Sequence, residues 1–142
     1  PAKLEEFLNS TPPLSVTPYW HERKKELVKL GFAATGVAEK FRLYDRYLAK
    51  MEETLAGQQW LAGATFTLAD VGMTPYLNRL EMLGMAEMWT RSRPRVTGWW
   101  ERIKSRPTFK PTFLDACPPD LTADLLQFGS QSWPEVKKLL AA

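Results

Sequence analysis

An all-α fold follows from three features of the 142-residue sequence. Apolar residues recur at helical spacing, capping residues stand just before Pro or an acidic residue, and no alternating strand pattern of useful length occurs. Apolar residues make up 44% of the chain and charged residues 25%, the composition of an ordinary folded domain. A domain of this size buries enough surface to need neither disulfide nor metal, so residues 1–142 are read as one helical domain.

Charge and the scarce residue types exclude several function classes. Nineteen Lys and Arg against sixteen Asp and Glu leave +3, too mild for a nucleic-acid or anionic-membrane surface without a basic stripe. The densest cluster, "ERKK" at 22–25, is followed by Glu26 and reads as a solvated helix face. A single cysteine, Cys117, rules out an intrachain disulfide, and one histidine, His21, argues against an imidazole-based metal site. No metal site is therefore expected. No run approaches a membrane span and no signal peptide is recognised, which points to a cytoplasmic, reducing compartment. The chain opens on Pro1-Ala2-Lys3 rather than Met, as a processed product or a piece of a longer protein would.

The elements follow in order. A short helical piece, Leu4 to Leu8, is broken by Pro12, Pro13 and Pro18. Thr17-Pro18 then pairs a cap with Pro at the first helical position, and the helix it opens runs to Gly31 with Trp20, Leu27 and Leu30 on one side and the charges on the other. Val37, Phe41, Tyr44, Leu48, Met51 and Leu55 form a stripe at spacings of four and three, which predicts a core-facing helix ended by Gly57. Leu43 and Tyr47 widen its buried face.

The stretch "TFTLADVGMTPYLNRL" (65–80) places a carboxylate, Asp70, in a mostly apolar run. Thr67 followed three residues later by Asp70 is a capping box with Asp for the usual Glu or Gln. Thr67 accepts from the Asp70 N–H, and the carboxylate reaches back to the Thr67 N–H. Phe66 and Val71 flank the box as a hydrophobic staple. No His, Lys or second carboxylate lies near enough in sequence for acid–base work, so Asp70 is structural and no catalytic residue is assigned. Gly72 and Pro75 weaken this helix in isolation. Leu68, Ala69, Val71, Met73, Leu77 and Leu80 surround it, as on a central helix wrapped by others, with Gly72 admitting a neighbouring backbone.

Pro94 in "SRPRVTGWWERIK" and Pro107 in "SRPTFKPTF" each open a short helix, the first with Val96, Trp99, Trp100 and Ile103 inward. Last, "SWPEVKKLLAA" begins a helix with Ser132 as cap, Pro134 in the first turn and Glu135 completing a box.

The stretch "WLAGATFTLADVGMTPYLNRLEMLG" (60–84) resembles the signature of the C-terminal helical domain of cytosolic glutathione S-transferases. Trp60, Leu61, Gly63, Phe66, Thr67, Ala69 and Asp70 match it, and "RPRVTGWWERIKSRPTFK" (93–110) follows where that family has two Arg-Pro pairs around a Trp-bearing helix. "TPYLNRLEMLG" further resembles a bacterial group with a long segment between the first two helices of this domain. The resemblance implies a helical bundle around a central capped helix, in which Thr67 and Asp70 are folding elements. It also implies that the thioredoxin-like domain, which binds glutathione and activates its thiol, is absent here, along with most of the first long helix.

By that resemblance the chain is the electrophile-site half of a glutathione transferase and is inactive by itself. Glutathione is the co-substrate of the parent, a small hydrophobic electrophile its partner, and a homodimer its expected assembly. Tyr19, Trp20 and Trp133 are the candidate wall of the electrophile site, each with a competing reading as an ordinary core or surface aromatic. An alternative is a non-catalytic docking module of the kind found in translation-factor or tRNA-synthetase assemblies. A third is a freestanding ligand carrier, motivated by six Trp, of which Trp60, Trp99 and Trp100 are already committed to helix packing.

Overall fold

The computed structural model describes residues 6, 9, 10 and 18–141, and these form helices and turns with one isolated bridge between Trp60 and Gly63. The order is α1 (Pro18–Leu30), a 3-10 turn (Gly31–Ala33), α2 (Val37–Thr54), α3 (Leu68–Met82), α4 (Glu87–Thr90) and α5 (Pro94–Lys104). A π-type turn (Lys110–Leu114) and α6 (Pro119–Ala141) complete it. The all-α expectation holds. The expected Leu4–Leu8 helix lies outside the described residues apart from Glu6, which is helical, and the Thr17 cap lies outside them as well. The chain divides into two compact units within α2, Pro1–Phe41 and Arg42–Ala142.

In the first unit α1 stops at Gly31, whose φ of +53° is a left-handed conformation that glycine adopts without strain. Trp20, Leu27 and Leu30, the apolar side of α1, are all exposed. This unit has polar contacts and two ring pairs instead. Arg23 donates to the Glu26 carboxylate and to the Thr35 carbonyl, while the Thr35 N–H donates to Glu26 Oε1 at 2.8 Å. Arg23 of the "ERKK" cluster is thus engaged rather than merely solvated. Phe32 and Phe41 meet at 6.0 Å between ring centroids.

In the second unit the α2 stripe is buried as its spacing requires, at Leu48, Met51 and the following Leu55. Its second edge is not: Leu43 and Tyr47 are exposed, because amphipathic spacing defines a face without saying how wide the neighbours are. Trp89, Trp99 and Trp100 form the centre, with Trp100 edge-on to Trp89 and stacked beside Trp99. The indole N–H of Trp100 is buried without a hydrogen-bond partner among the described residues.

α3 packs on α5 and α6 through Leu77 and Leu80. Among the described residues its cover is one-sided. Leu68 is 85% exposed, and Val71, Gly72, Pro75 and Tyr76 are exposed on the same side, so the expectation of a helix wrapped all round is corrected. Among the described residues no backbone comes close to Gly72; a Cβ there would meet nothing within 4 Å. The close approach lies elsewhere. A Cβ on Gly129 of α6 would stand 2.2 Å from the Leu83 carbonyl oxygen and 2.6 Å from its Cα. Leu83 belongs to the stop of α3, where the Gly84 N–H donates to Glu81 and the Met85 N–H to Leu80, both at 2.9 Å. That is a Schellman ending, with Gly84 at φ +68°.

α5 starts at Pro94 as expected, yet no local side chain caps it. Glu52 of α2 does so from 43 residues away, accepting from the N–H groups of Arg95 (3.0 Å) and Val96 (2.9 Å). The carboxylate meets both the orphan donors and the positive end of the helix dipole. Arg93, just before the helix, is held by Asp45 of α2 at 2.7 Å.

Two further expectations are corrected. Pro107 lies in a turn, and the helical backbone after it is a single π-type turn from Lys110. Ser132 caps nothing: α6 is continuous through Pro134, and the Ser132 hydroxyl donates back to the Phe128 carbonyl at 2.9 Å. The proline removes one donor from α6, but packing of Gly129 and Val136 on either side keeps the helix in place.

Candidate functional site

The box at the start of α3 is complete and reaches further than its sequence motif. The Thr67 hydroxyl accepts from the Ala69 N–H at 3.3 Å, and the reciprocal contacts with Asp70 are both made. Asp70 is fully buried. Its Oδ2 accepts from the Thr67 N–H (2.9 Å) and hydroxyl (3.2 Å). Its Oδ1 accepts from the Leu61 N–H (2.9 Å) and from the Trp99 indole N–H (2.8 Å). Burial pushes the carboxyl pKa up, but the hydrogen bonds from Leu61, Trp99 and Thr67 together outweigh it and hold the group below its ordinary range. Such a carboxylate is a committed acceptor with no proton to exchange near neutral pH. It ties three segments together and has no geometry for acid–base work.

The staple residues do a second job. Phe66 is edge-on to Trp60 at 5.3 Å between centroids, and the Arg106 guanidinium lies 3.6 Å from its ring centroid. Phe66, Val71 and Pro75 line one side of a cavity of about 250 Å³ that opens to solvent, with Ile103, Phe109 and Phe113 on the other. Thr74, Thr108, Thr112 and Arg106 complete its lining. The Thr74 hydroxyl is spent on the Asp70 carbonyl at 2.7 Å. Ile103 and Phe109 are buried and fixed, and Phe109 is edge-on to Trp100 and tilted against Phe113. This is a preformed apolar concavity with one cation.

The three aromatics singled out from the sequence stand elsewhere. Tyr19 and Trp20 are exposed in the first unit and pair with each other, 5.3 Å between centroids and near perpendicular. Tyr19 also borders an open polar recess of about 480 Å³ with Glu22, Arg23, Glu26 and Lys40. Trp133, in the second unit, is half-buried, and its indole N–H donates to Glu87 Oε2 at 2.8 Å. That bond is the largest cause, and with the cations of Lys137 and Arg91 it outweighs the opposing effect of burial and holds the Glu87 carboxyl below its ordinary range. Arg106 escaped the sequence reading. The signal that could have found it is the "RPTFKPTF" run, two Phe and an Arg at short spacing beside Pro.

Among the described residues, no group of three or more His, Cys, Asp or Glu comes together to hold a metal ion. Among the same residues no helix is long and apolar enough to cross a membrane.

The model of the glutathione S-transferase C-terminal domain matches residues 16–107. Glutathione S-transferase TCHQD of Arabidopsis thaliana is 37% identical over 65 residues, covering 46% of this chain and 24% of that protein. Tetrachloro-p-hydroquinone reductive dehalogenase of Sphingobium chlorophenolicum is 28% identical over 109 residues, covering 76% of this chain and 44% of its own length. FtsZ-localized protein A of Caulobacter vibrioides is 30% identical over 100 residues, with 69% and 43% covered. The chain thus spans less than half the length of these curated relatives. No solved structure significantly matches it.

Proposed function

We propose a glutathione-dependent transferase function for the whole protein, on the premise that the chain belongs to the glutathione S-transferase family through its C-terminal domain. The observation that carries this reading is the match over residues 16–107, which includes the complete Thr67–Asp70 box. Glutathione is the co-substrate, bound and activated by residues outside this chain. Because the thiolate is the nucleophile, lowering the thiol pKa drives attack on an electrophilic carbon, and sulfur replaces the leaving group or adds across an activated bond. The helical domain contributes an apolar wall for the electrophile, with Tyr19, Trp20 and Trp133 as candidates. In this reading the chain alone is inactive, and the whole protein is a cytoplasmic homodimer.

The bond from Trp133 to Glu87 favours a packing role for that residue, so Trp20 is the sharper probe. The test is steady-state kinetics of the whole protein with glutathione and a panel of aryl and alkyl halides. Trp20→Ala is expected to change kcat/KM between electrophiles several-fold while leaving the KM for glutathione nearly constant. Unchanged ratios would remove Trp20 from the site, and no turnover of any electrophile would remove the transferase reading.

A second reading is a docking module. The relative named for its localisation with FtsZ, rather than for a transfer reaction, favours it. Glutathione turnover by the whole protein would count against it, and specific capture of a defined assembly partner by the helical domain would support it.

A further inference from the structure

We infer that the cavity beside Phe66 binds a small planar aromatic anion, an aryl carboxylate of one or two rings, through Arg106. The guanidinium is half-buried and rests 3.6 Å from the Phe66 centroid and 5.9 Å from that of Trp60. Among the described residues it has ring contacts but no carboxylate partner and no side-chain hydrogen bond. Arg93 and Arg95 of the same unit differ in this respect, being paired with Asp45 and Glu52.

A guanidinium stacked on a ring uses its face and leaves its edge free, where its N–H groups form the fork that fits a carboxylate with two parallel bonds. Half-burial removes much of the competing water, so such charge-assisted bonds are stronger than on an open surface. The rest of the cavity suits the ring of the same ligand. Phe113 and Phe66 add aromatic lining, and Ile103 and Phe109 are buried lining that needs no reorganisation on binding. Its volume of about 250 Å³ lies below that of a drug-sized pocket, which limits the ligand to one or two rings. Thr108 and Thr112 can take a ring hydroxyl.

The inference does not rest on the transferase reading, and its test contains no glutathione, so the two can fail separately. The whole protein, free of glutathione, is titrated with 2-naphthoate and with 2-naphthalenemethanol by calorimetry, while amide resonances at Phe66, Thr108 and Phe113 locate the site. The acid is expected to bind at least about 10-fold tighter than the alcohol, the value of one good charge-assisted contact. Arg106→Gln should abolish that preference, and Arg106→Lys should restore part of it. Val71→Trp, at an exposed lining position, should block both compounds and serves as the second variant if Arg106→Gln does not fold. Equal affinity for acid and alcohol would overturn the inference. So would a preference that survives Arg106→Gln, binding unaffected by Val71→Trp, or resonance shifts confined to other regions.

Discussion

Asp70→Ala removes the acceptor of four donors in one step. The Thr67 hydroxyl can rotate to another partner, but the Leu61 and Thr67 amides and the Trp99 indole N–H face a buried carboxylate and have no alternative in place. A buried donor left unpaired costs ~1–3 kcal/mol. Three such donors set a ceiling of ~9 kcal/mol, and because they share one partner their losses do not simply add. We expect a loss of ~3–5 kcal/mol, a large part of the ~5–15 kcal/mol that holds a typical domain folded.

Trp99→Phe removes one donor, and in a cycle with Asp70→Ala the two should couple by ~1.5–3 kcal/mol, the range for a bond to a charged group. Trp100→Phe loses comparable volume but no hydrogen bond, since that indole N–H is already unpartnered, and should cost less than Trp99→Phe. The assay is urea unfolding followed by circular dichroism. Acid provides an independent check. The folded pKa of Asp70 lies below its ordinary value of 3.8, so its contribution is complete above the ordinary range and is lost as pH falls through the lowered value. The stability gap between the parent chain and Asp70→Asn should therefore be constant near neutral pH and shrink on acidification. A cost under ~1 kcal/mol for Asp70→Ala, or no coupling with Trp99, would refute the reasoning.

Two other substitutions probe contacts that local sequence does not show. Glu52→Ala should destabilise the second unit by ~1–2 kcal/mol through loss of the α5 cap, while Glu52→Gln, which keeps an acceptor oxygen, should cost less; equal and negligible costs in denaturant titrations would deny Glu52 the capping role. Gly129→Ala would gain ~1 kcal/mol from helix propensity alone, yet the close approach of the Leu83 backbone should reverse the sign and lower the melting temperature. A raised melting temperature would mean that α6 does not lie that close.

How far the sequence revealed this molecule depended on distance along the chain. The start of α3 was legible because Thr67, Asp70, Phe66 and Val71 lie within six positions and their roles are local. The start of α5 was legible only as Pro94; its cap sits 43 residues upstream, and nothing in "SRPRV" announces Glu52. Gly72 and Gly129 look alike in sequence, and only the partner helix decides which one needs to lack a side chain. Pro134 invited the opposite error, since a helix stop and a tolerated interior proline share the same letters when packing on both sides holds the helix. Apolar residues at Leu43, Tyr47, Leu68 and Val71 revealed a face but not what covers it. The cavity draws on residues from 66 to 113, so its parts were visible singly and their meeting was not.

Two indole protons in this chain will report different events. That of Trp99 lies between a fully buried ring and a fully buried carboxylate, so solvent reaches it only when the three segments gathered at Asp70 come apart. Its exchange with deuterium therefore times the opening of the whole second unit. That of Trp133 sits on a half-buried ring against Glu87, and fraying of the last turns of α6 is enough to expose it. One side-chain proton keeps time for the core and the other for its final helix.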